Sequence, residues 1–529
     1  MISIIPKPQN LQLLPGEIQL SIPILVTGNT GSQSQLDRLP VLFGALIQPS
    51  PPGSKTQLRL EMDPGLVKDI GSEGYQLIIN PQEVTISAAE SAGLFYGLQT
   101  LRQLLPPEPR GEVKLPCLSI TDQPRFEWRG FMLDEARHFF GMQTVKRILD
   151  WLAYFKINRF HWHLTDYQGW RVEIEQYPRL TQLGGRREGG QRRSFSKRYA
   201  YMDMTPHQGW YSKGEIREIV AYAAERNITV IPELDLPGHF SAALAAYPHL
   251  GCTKEQMKVR TDWGIFEDVA CVGNPATRDF LYAVLDELAE LFPGPYIHLG
   301  GDEVKTVHWQ SCPDCRRVKD NQELDSFAEL NAWLMNDLGK FLRQKGKTPI
   351  VWNGALGPIL DKTTVVMHWT PHPFTFSKTR RALLEGYQVI MQPFWESYFD
   401  YAHSLIPLKR VYRAKTLDRI PPSAMANLLG VQGALWTEFV EDEPRIQWNT
   451  FPRLAAKAEV GWSQSGIRSY NDFQLRWTNL KTRLEQLGLH NPAPLDACNP
   501  SFYRRSMALA QDVLQDMHAE QKRWSKSQA

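Results

Sequence analysis

From Arg129 onward, short apolar runs alternate with amphipathic helical patterns, and no other feature of the chain narrows its fold as much. Phe131–Leu133, Arg159–Leu164, Thr229–Glu233, Tyr296–Gly300, Pro349–Trp352, Val365–Trp369, Val389–Gln392 and Val431–Trp436 read as strands. Thr144–Phe155, Lys213–Arg226, Thr277–Leu291, Ser326–Gln344 and Phe376–Glu385 carry apolar residues at helical spacing between several of them. Eight strands in this alternation predict a parallel sheet, and at this length a (β/α)8 TIM barrel. The preceding 125 residues differ. Leu77–Asn80 and Val84–Ser87 read as strands between Pro/Gly turns. Ser91–Leu105 reads as a helix with Ala92, Phe95, Leu98, Leu101 and Leu105 on one face, ended by Pro106-Pro-Glu-Pro. After about Ser463 the pattern is helical again. The expected division is a small mixed α/β domain over 1–125, a catalytic barrel over 126–465 and C-terminal helices over 466–529.

An α/β barrel carries its active site at the C-terminal ends of its strands. Here those ends collect polar residues. Strand one runs into Asp134-Glu-Ala-Arg137, and strand two contains His161-Trp-His163 and ends at Asp166. Strand three ends in Glu233-Leu-Asp235-Leu-Pro-Gly-His239, and strand four in His298-Leu-Gly-Gly-Asp302-Glu303. Trp369 closes strand six, Tyr398 and Asp400 follow strand seven, and Trp436-Thr-Glu438 ends the last. Pairing with arginine accounts for single carboxylates of this kind. A whole rim of them costs stability through mutual repulsion, so the set points to chemistry. Sixteen tryptophans point to carbohydrate, because an indole offers a flat apolar face and one N–H to a sugar, although most single tryptophans in any chain are core.

Asp302-Glu303 is the sharpest element. A glycosidase needs a carboxyl that holds a proton near neutral pH, and a neighbouring negative charge raises a carboxyl's pKa. A retaining enzyme of the usual kind sets its two carboxyls about 5–5.5 Å apart across the scissile bond. Neighbouring residues on a strand point to opposite faces, so an adjacent pair fits that arrangement poorly. Either the nucleophile is a carboxylate on another strand, or the substrate supplies its own.

Composition excludes other classes. Lys and Arg total 59 against 57 Asp and Glu, a net charge of +2, so no domain-wide basic field predicts nucleic-acid binding. The basic run Arg186–Arg198 reads as a solvated loop. No stretch approaches the roughly 20 apolar residues that span a bilayer, so no membrane partner is expected. The start of the chain lacks a charged segment followed by an apolar one, so a cytoplasmic location is expected unless a leader was removed. Six cysteines do not make a disulfide scaffold. Cys312-Pro-Asp-Cys315 has zinc-ligand spacing, but no second CxxC or His pair accompanies it, and it reads as structural or incidental. Whether Cys252 lies near Cys271 is not legible from spacing. No metal and no cofactor are predicted.

The motifs Arg129-Gly-Phe-Met-Leu-Asp-Glu-Ala-Arg-His-Phe, Asn158-Arg-Phe-His-Trp-His-Leu-Thr-Asp-Tyr-Gln-Gly-Trp-Arg, Pro232-Glu-Leu-Asp-Leu-Pro-Gly-His, His298-Leu-Gly-Gly-Asp-Glu-Val and Leu435-Trp-Thr-Glu resemble those of glycoside hydrolase family 20, the β-N-acetylhexosaminidases. Ile5-Pro-Lys-Pro-Gln and Gly93-Leu-Phe-Tyr-Gly-Leu-Gln-Thr-Leu resemble the family's small N-terminal domain. The resemblance runs in order from about residue 5 to about residue 465. It implies exo-acting, retaining removal of terminal GlcNAc or GalNAc from an N-acetylated glycan, with the substrate's 2-acetamido group as nucleophile. It implies Glu303 as acid and then base, and Asp302 as the residue that orients the acetamide. It further implies Arg137 on the 3- and 4-hydroxyls, Asp166, His239 and His298 around the acid, and Trp352, Trp369 and Trp436 as pocket walls. Tyr398 is implied on the acetamido oxygen, and Asp400 and Glu438 on the 4- and 6-hydroxyls. The chain departs from the family in Tyr167 for a second Asp, in a Trp missing from Leu408–Tyr412, in Gly433-Ala434 before the last Trp, and in the segment Gln392–Tyr398, which places Trp395 near the mouth. These departures bear on linkage and aglycone preference. Release of a disaccharide, a catalytically silent sugar-binding protein, and a zinc amidohydrolase built on His161, His163 and His239 are the competing readings. A homodimer is compatible with the sequence.

Overall fold

The computed structural model describes residues 2–51, 56–193 and 200–500. Eight parallel strands, Trp128–Asp134, Arg159–Asp166, Thr229–Leu236, Tyr296–Gly300, Thr348–Trp352, Val365–His368, Val389–Met391 and Leu428–Leu435, pair in chain order. The last closes on the first from Gly430↔Trp128 to Leu435↔Leu133, completing the predicted barrel. The first and last strands begin earlier than their expected runs, at Trp128 and Leu428. Gln432 faces the barrel interior, where it accepts from Trp128 Nε1 at 3.1 Å and donates to His161 Nδ1 at 3.0 Å and Gln392 Oε1 at 2.8 Å. Gly130 leaves room for it, since a Cβ there would sit 2.2 Å from the Gln432 oxygen. Trp128, Ile231, Ile350, Trp352, Val365, Met367, Ile390 and Leu429 pack one interior layer, so the barrel is a filled core.

The predicted helices appear as Met142–Tyr154, Lys213–Glu225, Pro275–Leu291, Phe327–Gln344 and Pro373–Leu384. Local chemistry sets their starts. Ser212 and Glu215 form a reciprocal capping box, and Asn274 caps Ala276 ahead of Pro275.

Before the barrel, seven strands form one mixed sheet, with Asn10–Ser21 at one edge against Glu112–Asp122 and Ile47–Pro49 at the other. Helix Ser91–Leu104 packs on Tyr75–Ile79 and Val84–Ala88. This sheet meets the barrel at the N-terminal ends of the strands. There the buried Arg129 binds Glu73 at 2.8 Å and lies over Trp462 at 5.0 Å, and Lys156 reaches Asp122 at 3.3 Å and Tyr75 Oη at 2.9 Å. Removing one partner of such a buried pair costs about 3–5 kcal/mol, so this floor holds the two units together while leaving the opposite rim free for chemistry. Helix Tyr470–Gln486 joins the same floor through Arg476, which pairs with the buried Glu459 at 2.8 Å and donates to Ile4 O at 2.6 Å. Of the predicted C-terminal segment, residues 501–529 lie outside the described residues.

The basic run is more structured than expected. Arg186–Arg187 pairs with His207–Gln208, and Gly190–Arg193 with Ala200–Asp203; residues 194–198 of the run lie outside the described residues. Arg187 is buried and donates to Gly189 O at 2.9 Å, so part of the run is an anchor and not a solvated face. No helix among the described residues is long and apolar enough to cross a membrane.

Candidate active site

Strand four stops at Gly300, and the chain then turns sharply. Gly300 and Gly301 take φ +69° and +94°, and Glu303 takes φ +51°, a left-handed conformation that disfavours most side chains. Gly300 has a second reason to be glycine: a Cβ there would overlap Asp235 Oδ1 at 1.8 Å. The turn resolves the problem of adjacency, because Asp302 and Glu303 do not lie on a pleated strand. Both carboxylates reach the same imidazole. A carboxylate oxygen of Asp302 lies within 4.8 Å of a His239 ring nitrogen, and Glu303 Oε2 is 3.5 Å from His239 Nε2.

From His239 a chain of alternating charge runs to Arg137. His239 Nδ1 lies 3.1 Å from Asp166 Oδ1, and Asp166 Oδ2 lies 2.8 Å from Arg137 Nη2. Burial alone would lower the His239 pKa, but Asp166 and Asp235 hold it well above the usual imidazole range. Burial would likewise raise Asp166, and Arg137 and His239 more than offset it. Arg137 is fixed further by Asp134 at 3.2 Å and Gln168 at 3.2 Å, lies 5.0 Å over the Trp436 ring, and has Glu438 at 3.9 Å.

Beneath the rim, Glu233 is the hub of a buried network. His163 Nδ1 lies 2.6 Å away, His161 Nε2 2.9 Å, His298 Nδ1 3.2 Å, and Trp352 Nε1 donates to it at 2.7 Å. His163 also meets Asp166 at 3.0 Å, so both its nitrogens face carboxylates. Despite burial, Glu233 and Asp166 push its pKa well up. Burial pushes His161 down to about 4, which leaves a neutral ring that accepts from Gln432 and faces Glu233. Of the histidines that suggested a zinc amidohydrolase, His163 faces carboxylates with both nitrogens, His161 Nε2 lies 2.9 Å from Glu233 and His239 Nε2 lies 3.5 Å from Glu303. The strand ends made Glu233 and His163 visible, but nothing in the sequence disclosed that they form one network with His298.

The walls are aromatic. Trp436 lies 6.1 Å from Trp352 and 6.2 Å from Tyr398, and Trp369 stacks on Tyr398 at 6.3 Å with planes 29° apart. Tyr398 also bridges Ala434 of the last strand. Burial and then Asp302 raise the Tyr398 pKa, which keeps its hydroxyl a donor. Asp400 is pushed well up by burial and then by Glu438. The structure therefore brings all twelve predicted site residues to one end of the barrel, with His298 beneath the pocket in the Glu233 network. Trp395 is exposed, in the turn of helix Phe394–Ser397 after strand seven.

Among the described residues, Asp302 Oδ1, Trp369 Nε1, Trp436 Nε1 and Asp400 Oδ1 are buried without a hydrogen-bonding partner. Such atoms are costly unless a ligand meets them. Burial, with Glu303 and Glu233 adding to it, raises Asp302 to about 7. Its folded pKa lies above its ordinary value near 3.9, so its contribution to stability is full below that value and lost as pH rises through about 7. Asp302→Asn removes a charge that opposes folding. The variant is expected to melt a few degrees above the parent at pH 8, corresponding to on the order of a few kcal/mol, and at the same temperature at pH 4. Calorimetry at both pH values checks this, and a variant less stable at pH 8 would contradict it.

A barrel whose C-terminal rim holds paired carboxylates, a clamped arginine and four neighbouring aromatic rings defines a carbohydrate-cleaving class. Residues 126–465 match the catalytic domain of glycosyl hydrolase family 20, and residues 1–123 match domain 2 of that family. The chain belongs to glycosyl hydrolase family 20. It is 38% identical to a β-hexosaminidase of Porphyromonas gingivalis over 80% of this chain, and spans 55% of that relative's length. It is 34% identical to a β-hexosaminidase of Akkermansia muciniphila over 82% of this chain and 92% of the relative. Among solved structures, the β-N-acetylhexosaminidase of Bacteroides fragilis superposes with a TM-score of 0.82 at 31% identity, covering 94% of this chain and 99% of that one. An exo-β-N-acetylglucosaminidase of Vibrio harveyi, solved with N-acetylglucosamine, gives 0.81 at 29% identity, covering 93% and 78%.

Proposed function

We propose that this protein is an exo-acting, retaining β-N-acetylhexosaminidase that removes terminal non-reducing GlcNAc or GalNAc from glycans by substrate-assisted catalysis. The observation that carries the reading is Asp302: a buried carboxylate with one oxygen lacking a protein partner, next to Glu303 on the same turn. That oxygen is suited to accept the acetamido N–H of a bound sugar. Held there, the acetamido carbonyl oxygen faces the anomeric carbon and attacks it. Glu303 gives its proton to the departing glycosidic oxygen as the C1–O bond breaks. A cyclic oxazolinium forms, its positive charge shared with the N–H that Asp302 holds. Glu303, now ionised, takes a proton from water as the water opens the ring at C1, and two inversions give net retention.

The remaining residues position the sugar. Arg137 takes the 3- and 4-hydroxyls, with its guanidinium fixed by Asp134, Asp166 and Gln168. Asp400 and Glu438 take the 4- and 6-hydroxyls. Tyr398 donates to the acetamido oxygen. Trp352, Trp369 and Trp436 enclose the methyl group and the sugar face. Asp166 and His239 link Arg137 to the acid, so that grip on the ring and placement of the proton are coupled. The β-hexosaminidase names of the relatives and the N-acetylglucosamine bound in the Vibrio structure support this reading.

The test is a product profile on N-acetylated glycans, read by NMR. The expected product is a single β-configured N-acetylhexosamine from the non-reducing end. A thiazoline mimic of the cyclic intermediate is expected to bind at least a hundredfold more tightly than the product sugar. An α-configured first product, or disaccharide release, would overturn the reading.

A further inference from the structure

Four of the six cysteines meet at one point outside the sugar pocket. Cys252 and Cys271 bracket the long loop after the third barrel strand. Cys312 caps helix Pro313–Asn321, and Cys315 sits in its first turn. Their sulfurs all lie within 4.8 Å of one another. Cys271 is 3.7 Å from both Cys312 and Cys315, and Cys252 is 3.8 Å from Cys315.

These distances have a specific meaning. Four thiolates around one zinc at about 2.3 Å stand at the corners of a tetrahedron whose edge is about 3.8 Å. A pair of disulfides would instead give each sulfur one partner at about 2.0 Å, whereas Cys271 is equidistant from two sulfurs and Cys315 is close to two. Cys271, Cys312 and Cys315 are buried, and Cys252 is half-buried, so the centre is enclosed. A set of four soft sulfur donors selects zinc over the hard cations.

We propose that Cys252, Cys271, Cys312 and Cys315 bind one zinc ion as a structural site that staples the loop after strand three to the segment carrying Asp302 and Glu303. Binding displaces the thiol protons and leaves zinc four-coordinate with no open position, so its role is to hold two loops. The loops already touch closely at this point. A Cβ on Gly273 would lie 2.1 Å from the Asp314 backbone, and Trp309 Nε1 donates to Ala270 O at 2.9 Å. Cys312 follows Glu303 by nine residues, and the bracketed loop carries Phe266, whose carbonyl accepts from Tyr167 Oη at 3.2 Å beside His239. The staple therefore secures both sides of the Glu303–His239 contact. The spacing of Cys312 and Cys315 alone could not disclose it, because the second pair, Cys252 and Cys271, comes from residues 19 apart in a loop.

The experiment uses the full chain, without a histidine tag and purified without chelator. Elemental analysis is expected to find about one zinc per chain, and a mercurial thiol reagent is expected to release it as four thiols react. Cys271→Ser and Cys315→Ser should each lose the metal, while Cys117→Ser, outside the cluster, should keep it. Should the cluster variants fail to fold, the metal content and thiol titration of the parent decide alone. Less than a tenth of an equivalent of zinc, recovery of the four residues as disulfide-linked peptides, or stoichiometric iron in place of zinc would each overturn the proposal.

Discussion

Asp302→Asn is expected to lower kcat about a thousandfold on every β-N-acetylglucosaminide, whether its leaving group is good or poor. Two losses combine. The asparagine carries no charge, so the positive charge that develops on the acetamido nitrogen loses its ionic partner; one preorganised group of that kind contributes on the order of 10²–10³ in rate. The new side chain can also turn its NH2 toward the acetamido N–H, donor against donor, and rotate the carbonyl away from C1. An intramolecular nucleophile is worth roughly 7–11 kcal/mol only while it is aligned, and Asp302 is the group that holds its N–H. A better leaving group does not help, because the attacking oxygen is the part that is misplaced. Kinetics on aryl glycosides spanning a wide range of leaving-group acidity check this. A rate within tenfold of the parent would remove the acetamido group from the reaction. The expected rise in melting temperature at pH 8 separates lost chemistry from lost folding, since a damaged fold would lower both.

The barrel and most of its rim were legible in the sequence for a physical reason. Parallel strands buried on both faces are nearly continuous apolar runs, and a barrel exposes its chemistry where those runs end. Asp134, Asp166, Asp302, Trp369 and Trp436 are visible on that ground alone. What was not legible depends on three dimensions. Pleating made Asp302 and Glu303 look divergent, and only the left-handed turn through Gly300, Gly301 and Glu303 brings both to His239. Glu233 reads as one more acid at a strand end, yet it collects three histidines and an indole from strands two, four and five. Arg187 reads as part of a solvated basic run, yet its guanidinium is buried. Each case turns on a partner distant in sequence, which periodicity cannot report.

Glu303→Gln is expected to divide substrates where Asp302→Asn does not. Glutamine cannot give a proton, so glycosides with poor leaving groups should lose about 10³–10⁴ in kcat/KM, toward the upper end of what general acid–base catalysis contributes. An aryl glycoside whose phenol leaves unaided keeps its first step, because Asp302 still aligns the acetamido oxygen. The second step then fails, since no carboxylate remains to deprotonate water, and the cyclic intermediate accumulates. The expected signature is a burst of phenol followed by slow turnover, with KM lowered together with kcat. Azide attacks without a base, so adding it should restore turnover and give the β-glycosyl azide. The parent's pH profile follows from the same pair. Asp302 must be ionised to hold the acetamido N–H, and burial with the neighbouring Glu303 charge raises it to about 7, so kcat/KM of the parent should climb as pH rises through about 7. In Glu303→Gln, acting on an activated aryl glycoside, that neighbouring charge is gone, so the climb should move to lower pH. If it stayed at the parent's pH, the group titrating there would not be Asp302 beside Glu303, and the division of labour between the two would be wrong.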